Sequence, residues 1–210
     1  MNLRSRKLRA GVVDYDMGNL RSVAKSLEAV GVTATVSDDP RRLAGNDLLV
    51  VPGVGSFDAA MQALRRKILD RFIVRWIRAG KPYIGLCLGL QLLFDRSEEA
   101  PGETGLKVLR GTVRRFRPVS RSQKIPHMGW NRPQGRLNGK SLNKDYFYFV
   151  HSYYPAPRDK SIVNTRTPYG ISFCSSVRTK NIYATQFHPE KSGEAGLRLL
   201  KSMITGLLPC

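Results

Sequence analysis

The sequence has 210 residues, 41% of them hydrophobic, enough for one compact domain (1–210) whose core needs no disulfide or metal staple. No run approaches the roughly 18 apolar residues of a membrane span, and the basic N-terminus lacks a signal peptide's apolar stretch. A soluble, cytoplasmic protein is therefore expected, with residues 1–7 as a flexible basic tail. A net charge of +19 raises the question of an anionic partner, but the basic residues fall in scattered pairs (Arg41-Arg42, Arg65-Arg66, Arg114-Arg115) with no aromatic-interleaved stripe, so nucleic-acid binding is not expected.

In chain order, "AGVVDY" reads as a buried strand, and Leu20, Val23, Leu27 and Val30 then recur at helical spacing until Gly31 offers a stop. "TATVS" and "DLLVVPG" read as the second and third strands. A helical stretch follows from about Phe57 to Ala79, with a break near Lys67, and "KPYIGLC" is a fourth strand feeding a helix over "LGLQLLF". This alternation is the form of βαβ units and implies parallel pairing. After Arg96, "GLKVL", "GTVRRF", "DYFYFVHSYY", "SIVNT", "ISFCSSV" and "NIYATQF" read as shorter strands, partly antiparallel, separated by Gly, Pro and Asn turns. Residues 117–145 are the least periodic, and "RPQGRLNGKSLNKD" reads as an exposed loop. A closing helix from Ser192 buries Gly196, Leu199, Leu200 and Met203. The expected class is α/β, with a mixed, mostly parallel central sheet flanked by helices and extended by antiparallel strands.

Three cysteines, Cys87, Cys174 and Cys210, are an odd number at wide spacing, which suggests neither a disulfide framework nor a zinc site. Cys87 stands in "GLCLG", after an expected strand and before an expected helix, the layout of the G-x-S-x-G elbow with cysteine in place of serine. A helix N-terminus beneath it would favour the thiolate. A plain buried core thiol is the competing reading. A nucleophile needs a base, and the base needs an orienting group. His188 in "QFHPEKS" ends the last expected strand, and Glu190, two residues on across Pro189, can turn back toward its ring. His127 and His151, each beside aromatics, read as structural when taken alone. "VPGVGSF" lacks both phosphate-binding fingerprints and reads either as a plain turn or as a loop whose Val54 or Gly55 N–H joins that of Leu88 in an oxyanion hole.

Together, "GLCLGLQLLF" and "QFHPEKS" resemble the class I (triad) glutamine amidotransferases, and "PGVGSF", "PHMGWN" and "YFVHSY" narrow the resemblance to the glutaminase subunits of imidazole glycerol phosphate synthases, from about Leu8 to Leu207. The resemblance implies that L-glutamine is hydrolysed through a thioester on Cys87, with His188 and Glu190 completing the triad and no cofactor or metal. It implies that Gln91, Tyr148, His151 and Ser152 lie at the substrate, and that Asn19, Trp130 and Lys191 face a cyclase subunit of the (β/α)8-barrel type in a heterodimer that receives the ammonia. Cys174 and the serines of "FCSSV" depart from the small apolar residues typical of the family, as does the strong positive charge. Related glutaminases that feed sugar modification share these motifs, and a catalytically silent basic binding module remains the reading from another class.

Overall fold

Strand β1 (Arg9–Val13) opens a computed structural model that describes residues 7–208 apart from 122 and 139. Residues 1–6 of the expected basic tail, and Cys210, lie outside the described residues. Helix α1 (Leu20–Ala29) starts where Asn19 Oδ1 accepts the Ser22 N–H, and the chain reverses at Gly31, whose φ of +88° suits glycine. β2 (Thr33–Ser37), α2 (Pro40–Ala44) and β3 (Leu48–Val51) follow. The long helical stretch divides at Lys67 and Ile68, the latter left-handed at φ 57°, into α3 (Phe57–Arg66) and α4 (Leu69–Arg78). β4 (Tyr83–Leu86) then feeds α5 (Leu88–Gln91), a single turn where a longer helix is expected from the sequence.

The second half comprises β5 (Arg96–Ser97), β6 (Ala100–Thr104), β7 (Gly111–Arg115), β8 (His127–Asn131), β9 (Gln134–Leu137), β10 (Lys140–Ser141), β11 (Phe147–His151), β12 (Tyr153–Pro157), β13 (Val163–Tyr169), β14 (Ile171–Arg178), β15 (Ile182–Thr185) and α6 (Gly193–Leu207). The main sheet has nine strands in the order β10-β9-β13-β14-β15-β4-β3-β1-β2. From β15 to β2 all pairings are parallel, and from β10 to β15 all are antiparallel. One apolar cluster joins one sheet face to α3 and α4, through residues such as Leu64 and Ile73. The other joins the opposite face to α1 and α6, through residues such as Leu27 and Met203. Both faces of the parallel half are therefore covered, which is why its strands read as continuous apolar runs.

Three expectations are corrected. "GLKVL" is irregular backbone in which Lys107 adopts φ 53° while Leu106 and Leu109 are buried, so apolar content here reflects anchoring of a loop. "RPQGRLNGKSLNKD" contains β9 and β10, which extend the main sheet. "DYFYFVHSYY" is two strands that part at Ser152: β11 pairs with β8 in a ribbon, and β12 joins the four-stranded sheet β12-β7-β5-β6.

Candidate active site

Cys87 sits at the carboxyl end of β4 with φ 52° and ψ −102°, a strained conformation that turns the chain sharply from strand to helix. Its N–H donates to Thr185 O at 2.7 Å, which ties the corner to the end of the neighbouring parallel strand β15. The flanking glycines are required sterically: a Cβ on Gly85 would lie 2.7 Å from Gly89 O, and one on Gly89 would lie 1.9 Å from Val51 O. Buried Tyr83 donates its hydroxyl to Gly89 O at 2.8 Å, and Tyr15 donates to Pro52 O at 2.6 Å, fixing the two loops that meet here. The one-turn α5 offers little macrodipole, so its contribution at Cys87 comes from local N–H groups.

The thiol opens onto a cavity of about 470 Å³ lined by Val54, Gly55, Leu88, Gln91, His151, Ser152 and Lys191, among others. A larger cavity, about 730 Å³, lies against β5, β6, β7 and β12, and its lining contains neither cysteine nor histidine, so size alone does not locate the chemistry. His188 enters from the segment after β15, held by its N–H to Tyr148 O at 2.9 Å and by the Ser192 hydroxyl on its carbonyl at 2.6 Å. A 3-10 turn, Pro189–Lys191, then brings Glu190 Oε1 to 2.7 Å from His188 Nδ1, with both side chains almost wholly buried. Glu190 thus holds the proton on Nδ1 and leaves Nε2 free. Nε2 is buried and has no aligned hydrogen bond, yet Cys87 is near enough to act on the ring's charge. Burial pulls the imidazole down, but the charge of and hydrogen bonding to Cys87, together with Glu190, outweigh it and push His188 up to about 10. The arrangement stabilises an imidazolium beside the sulfur.

The remaining expected residues separate into groups. Leu88 N–H points at Gly53 O, 3.4 Å away, so in this state the loop carbonyl faces the donor that an oxyanion hole would use. Gln91 Nε2 is turned inward, to Tyr153 O and to Gln186 Oε1, each at 3.0 Å. His151 lines the cavity and donates its Nδ1–H to Tyr153 O at 2.8 Å. Tyr148 stands outside the lining: its backbone supports His188, while its ring meets Trp130 edge-on at 5.9 Å and lies 5.9 Å from Lys191 Nζ. Trp130 is 58% exposed. Asn19 is spent capping α1, which packs on the turn that carries Lys191.

Two residues escape a reading of the sequence. Gln186 is fully buried with Nε2 3.5 Å from Cys87 Sγ. Glu99 lines the cavity and accepts the Phe57 N–H at 3.0 Å, and burial raises its pKa. The signal for Gln186 was its place in "QFHPE"; for Glu99 the sequence carries none. Among the described residues, no group of three or more His, Cys, Asp or Glu could hold a metal ion.

A cysteine elbow at the end of a parallel strand, backed by a buried His-Glu pair and opening on a small cavity, defines a thiol-dependent acyl-transfer enzyme. Comparison with known proteins agrees: residues 11–205 match the family "Glutamine amidotransferase class-I". Relatives named imidazole glycerol phosphate synthase subunit HisH include that of Syntrophotalea carbinolica, 47% identical over 204 residues (91% of this chain, 97% of its own). Another is that of Aquifex aeolicus, 48% identical over 200 residues (93% and 95%). The chain belongs to the class I glutamine amidotransferases and, within them, to the HisH subunits of imidazole glycerol phosphate synthase. At the level of fold, a solved glutamine amidotransferase superposes with TM-score 0.72 at 21% identity, covering 94% of this chain and 98% of its own. The PurLQS structure from Thermotoga maritima gives TM-score 0.72 at 22%, covering 97% and 100%. No helix among the described residues is long and apolar enough to cross a membrane.

Proposed function

We propose that this chain hydrolyses L-glutamine to glutamate and ammonia as the glutaminase subunit of an imidazole glycerol phosphate synthase in histidine biosynthesis, and that it passes the ammonia to a (β/α)8-barrel cyclase subunit in a heterodimer. The observation that carries this reading is the strained Cys87 facing the cavity with His188 and Glu190 buried beside it. The Cys87 thiolate attacks the side-chain amide carbon and forms a C–S bond. Collapse of the tetrahedral adduct breaks the C–N bond, and the nitrogen leaves as ammonia with a proton from His188 Nε2. Water then attacks the thioester, giving its proton back to His188 and restoring the thiolate as glutamate departs. Glu190 orients the ring throughout and balances its charge.

Glu99 supplies a carboxylate suited to the α-ammonium of glutamine, and Lys191 a cation suited to its α-carboxylate. Gln91 has committed its amide nitrogen, which leaves Oε1 for the ligand. Ser152 and His151 complete the wall, and Tyr148 contributes through the strand that supports His188. Trp130, Lys191 and the α1 edge at Asn19 form the docking face. The oxyanion hole of Leu88 with Val54 or Gly55 forms when the partner turns the Gly53 carbonyl away, because that carbonyl now faces the Leu88 N–H.

Two experiments test this. Cys87→Ser abolishes glutamine-dependent turnover while synthase turnover driven by ammonium salt persists; retained glutamine hydrolysis would remove Cys87 as nucleophile. Adding the cyclase raises the glutaminase kcat by about 10²-fold or more, the size of one oxyanion donor. Equal kcat with and without the partner defeats the loop rearrangement. The buried His188–Glu190 pair beside Cys87 disfavours a silent basic binding module, and the HisH names of the relatives disfavour an acceptor in sugar modification.

A further inference from the structure

The amide of Gln186 has only one orientation that its surroundings allow. Tyr153 O is a backbone carbonyl and can only accept, so the Gln91 amide atom 3.0 Å from it is the nitrogen. That same nitrogen lies 3.0 Å from the Gln186 amide, which must therefore present its oxygen. The other end of the Gln186 amide, 3.5 Å from Cys87 Sγ, is then an N–H donor. Its backbone is fixed as well, by the N–H to Ser175 O at 2.8 Å, and no part of the residue reaches solvent. A glutamine with no access to water, whose donor points at the nucleophile, is more than space-filling, since apolar side chains of the same volume would pack there without a polar network to satisfy.

We propose that Gln186 is a positioning residue for the nucleophile: the chain Tyr153 O, Gln91, Gln186 locks an N–H onto the Cys87 sulfur, holding the thiolate opposite the cavity and favouring it over the thiol. The same bond supports the sulfur when it leaves as thiolate at thioester hydrolysis. This inference rests on the reading of Cys87 as the nucleophile and goes beyond the triad, because it gives the sulfur a neutral donor in addition to His188.

The pH dependence of Cys87 alkylation by iodoacetamide, followed by peptide mass spectrometry on the purified chain, tests it without calling on glutaminase activity. Gln186→Met keeps the volume and removes the donor. The midpoint of alkylation is expected to rise by about one pH unit, so the rate well below both midpoints falls roughly tenfold. Gln186→Glu, isosteric and acidic, is expected to raise it further. In the glutaminase reaction kcat falls with KM within about twofold, since a residue that acts on the sulfur adds little ground-state binding. A folded Gln186→Met chain with the parent's alkylation profile would overturn the proposal. A second measurement needs no variant: the Gln186 side-chain amide protons of the unaltered chain, resolved by NMR, must shift as Cys87 titrates, and resonances that stay fixed would overturn it equally. A shifted alkylation profile in a chain that releases no glutamate even with the cyclase subunit present supports the role of Gln186 and defeats instead the proposed glutaminase function.

Discussion

His127 and His151 form a short relay of neutral rings buried between β8 and β11. His151 Nδ1–H donates to Tyr153 O, so its Nε2 accepts from His127 Nδ1–H at 3.0 Å, and His127 Nε2 accepts from Asn131 Nδ2 at 3.2 Å. His127 also stacks on Tyr169 with centroids 3.9 Å apart. Every ring nitrogen is committed, and no carboxylate joins the chain. Burial pushes His127 down to about 4; burial, opposed by the bond to Tyr153 and assisted by the charges of His127 and His188, pushes His151 down to about 3. Both rings thus bind protons less readily folded than unfolded. Their contribution to stability is complete above the unfolded value near 6.5 and is lost as pH falls below it. Each contributes a slope of up to roughly 1.4 kcal/mol per pH unit in that window. Urea midpoints measured from pH 7 to pH 5 are therefore expected to fall, and His127→Gln is expected to flatten the slope while lowering the midpoint overall. A slope unchanged by that substitution would mean that His127 is not held neutral.

At the level of elements, the elbow is the point where three segments close on one another. A Cβ on Gly89 would stand 1.9 Å from the carbonyl of Val51, a backbone atom of a central parallel strand that cannot move aside. Gly89→Ala is therefore expected to cost on the order of 3 kcal/mol or more. Gly102→Ala, where an added Cβ meets nothing within 4 Å, should stay within about 0.5 kcal/mol of the parent. Comparable urea midpoints for the two would contradict the packing described. Such local constraints explain what the sequence makes legible. The parallel half announces itself through apolar runs and stops such as Gly31, and the elbow and the "HPE" turn are each complete within a few consecutive residues. The α2 turn carries its own signal, Asp39 as cap with Pro40 behind it, but is too short for periodicity to reveal. The antiparallel half is harder because β9 and β10 are short, with β10 at the sheet edge, and because the single residue Ser152 switches the chain from one sheet to another. "FCSSV" became intelligible only from pairing. Ser175, Ser176, Thr165 and Thr167 form a buried hydroxyl network between β13 and β14, and burial holds the Cys174 thiol up at about 12, well away from thiolate reactivity. Gln186 and Glu99 escaped because the partners of their side chains lie at least 42 positions away along the chain.

For the whole molecule, the net charge of +19 sets a balance between two electrostatic contributions of opposite sign. Surface ion pairs such as Lys67 with Asp16 and Arg198 with Asp145 stabilise the fold and are weakened by salt. Repulsion among unpaired cations destabilises it and is also weakened by salt. The second contribution dominates here, because 35 basic side chains face only 16 acidic ones. Cations crowd around the larger cavity, where Arg96, Lys107, Arg110, Arg114, Arg158 and Lys160 share one rim. The two acids there offset little of that charge: Glu103 pairs with Arg65 at 2.6 Å, outside the rim, and Asp95 accepts the Gly111 N–H at 2.8 Å and lies 3.9 Å from Arg110 alone. Strand alternation places Arg96 and Thr112 side by side, with Arg114 two residues on, all on the outward face of their sheet. These charges are separated by less than a Debye length at low salt, which is about 30 Å at 0.01 M and about 8 Å at 0.15 M. Raising sodium chloride across that range is therefore expected to raise the Tm of the isolated chain, by a few degrees if about 1 kcal/mol of repulsion is screened. A Tm that falls with salt would show that the ion pairs outweigh the repulsion, and that the positive surface is already neutralised in the folded chain.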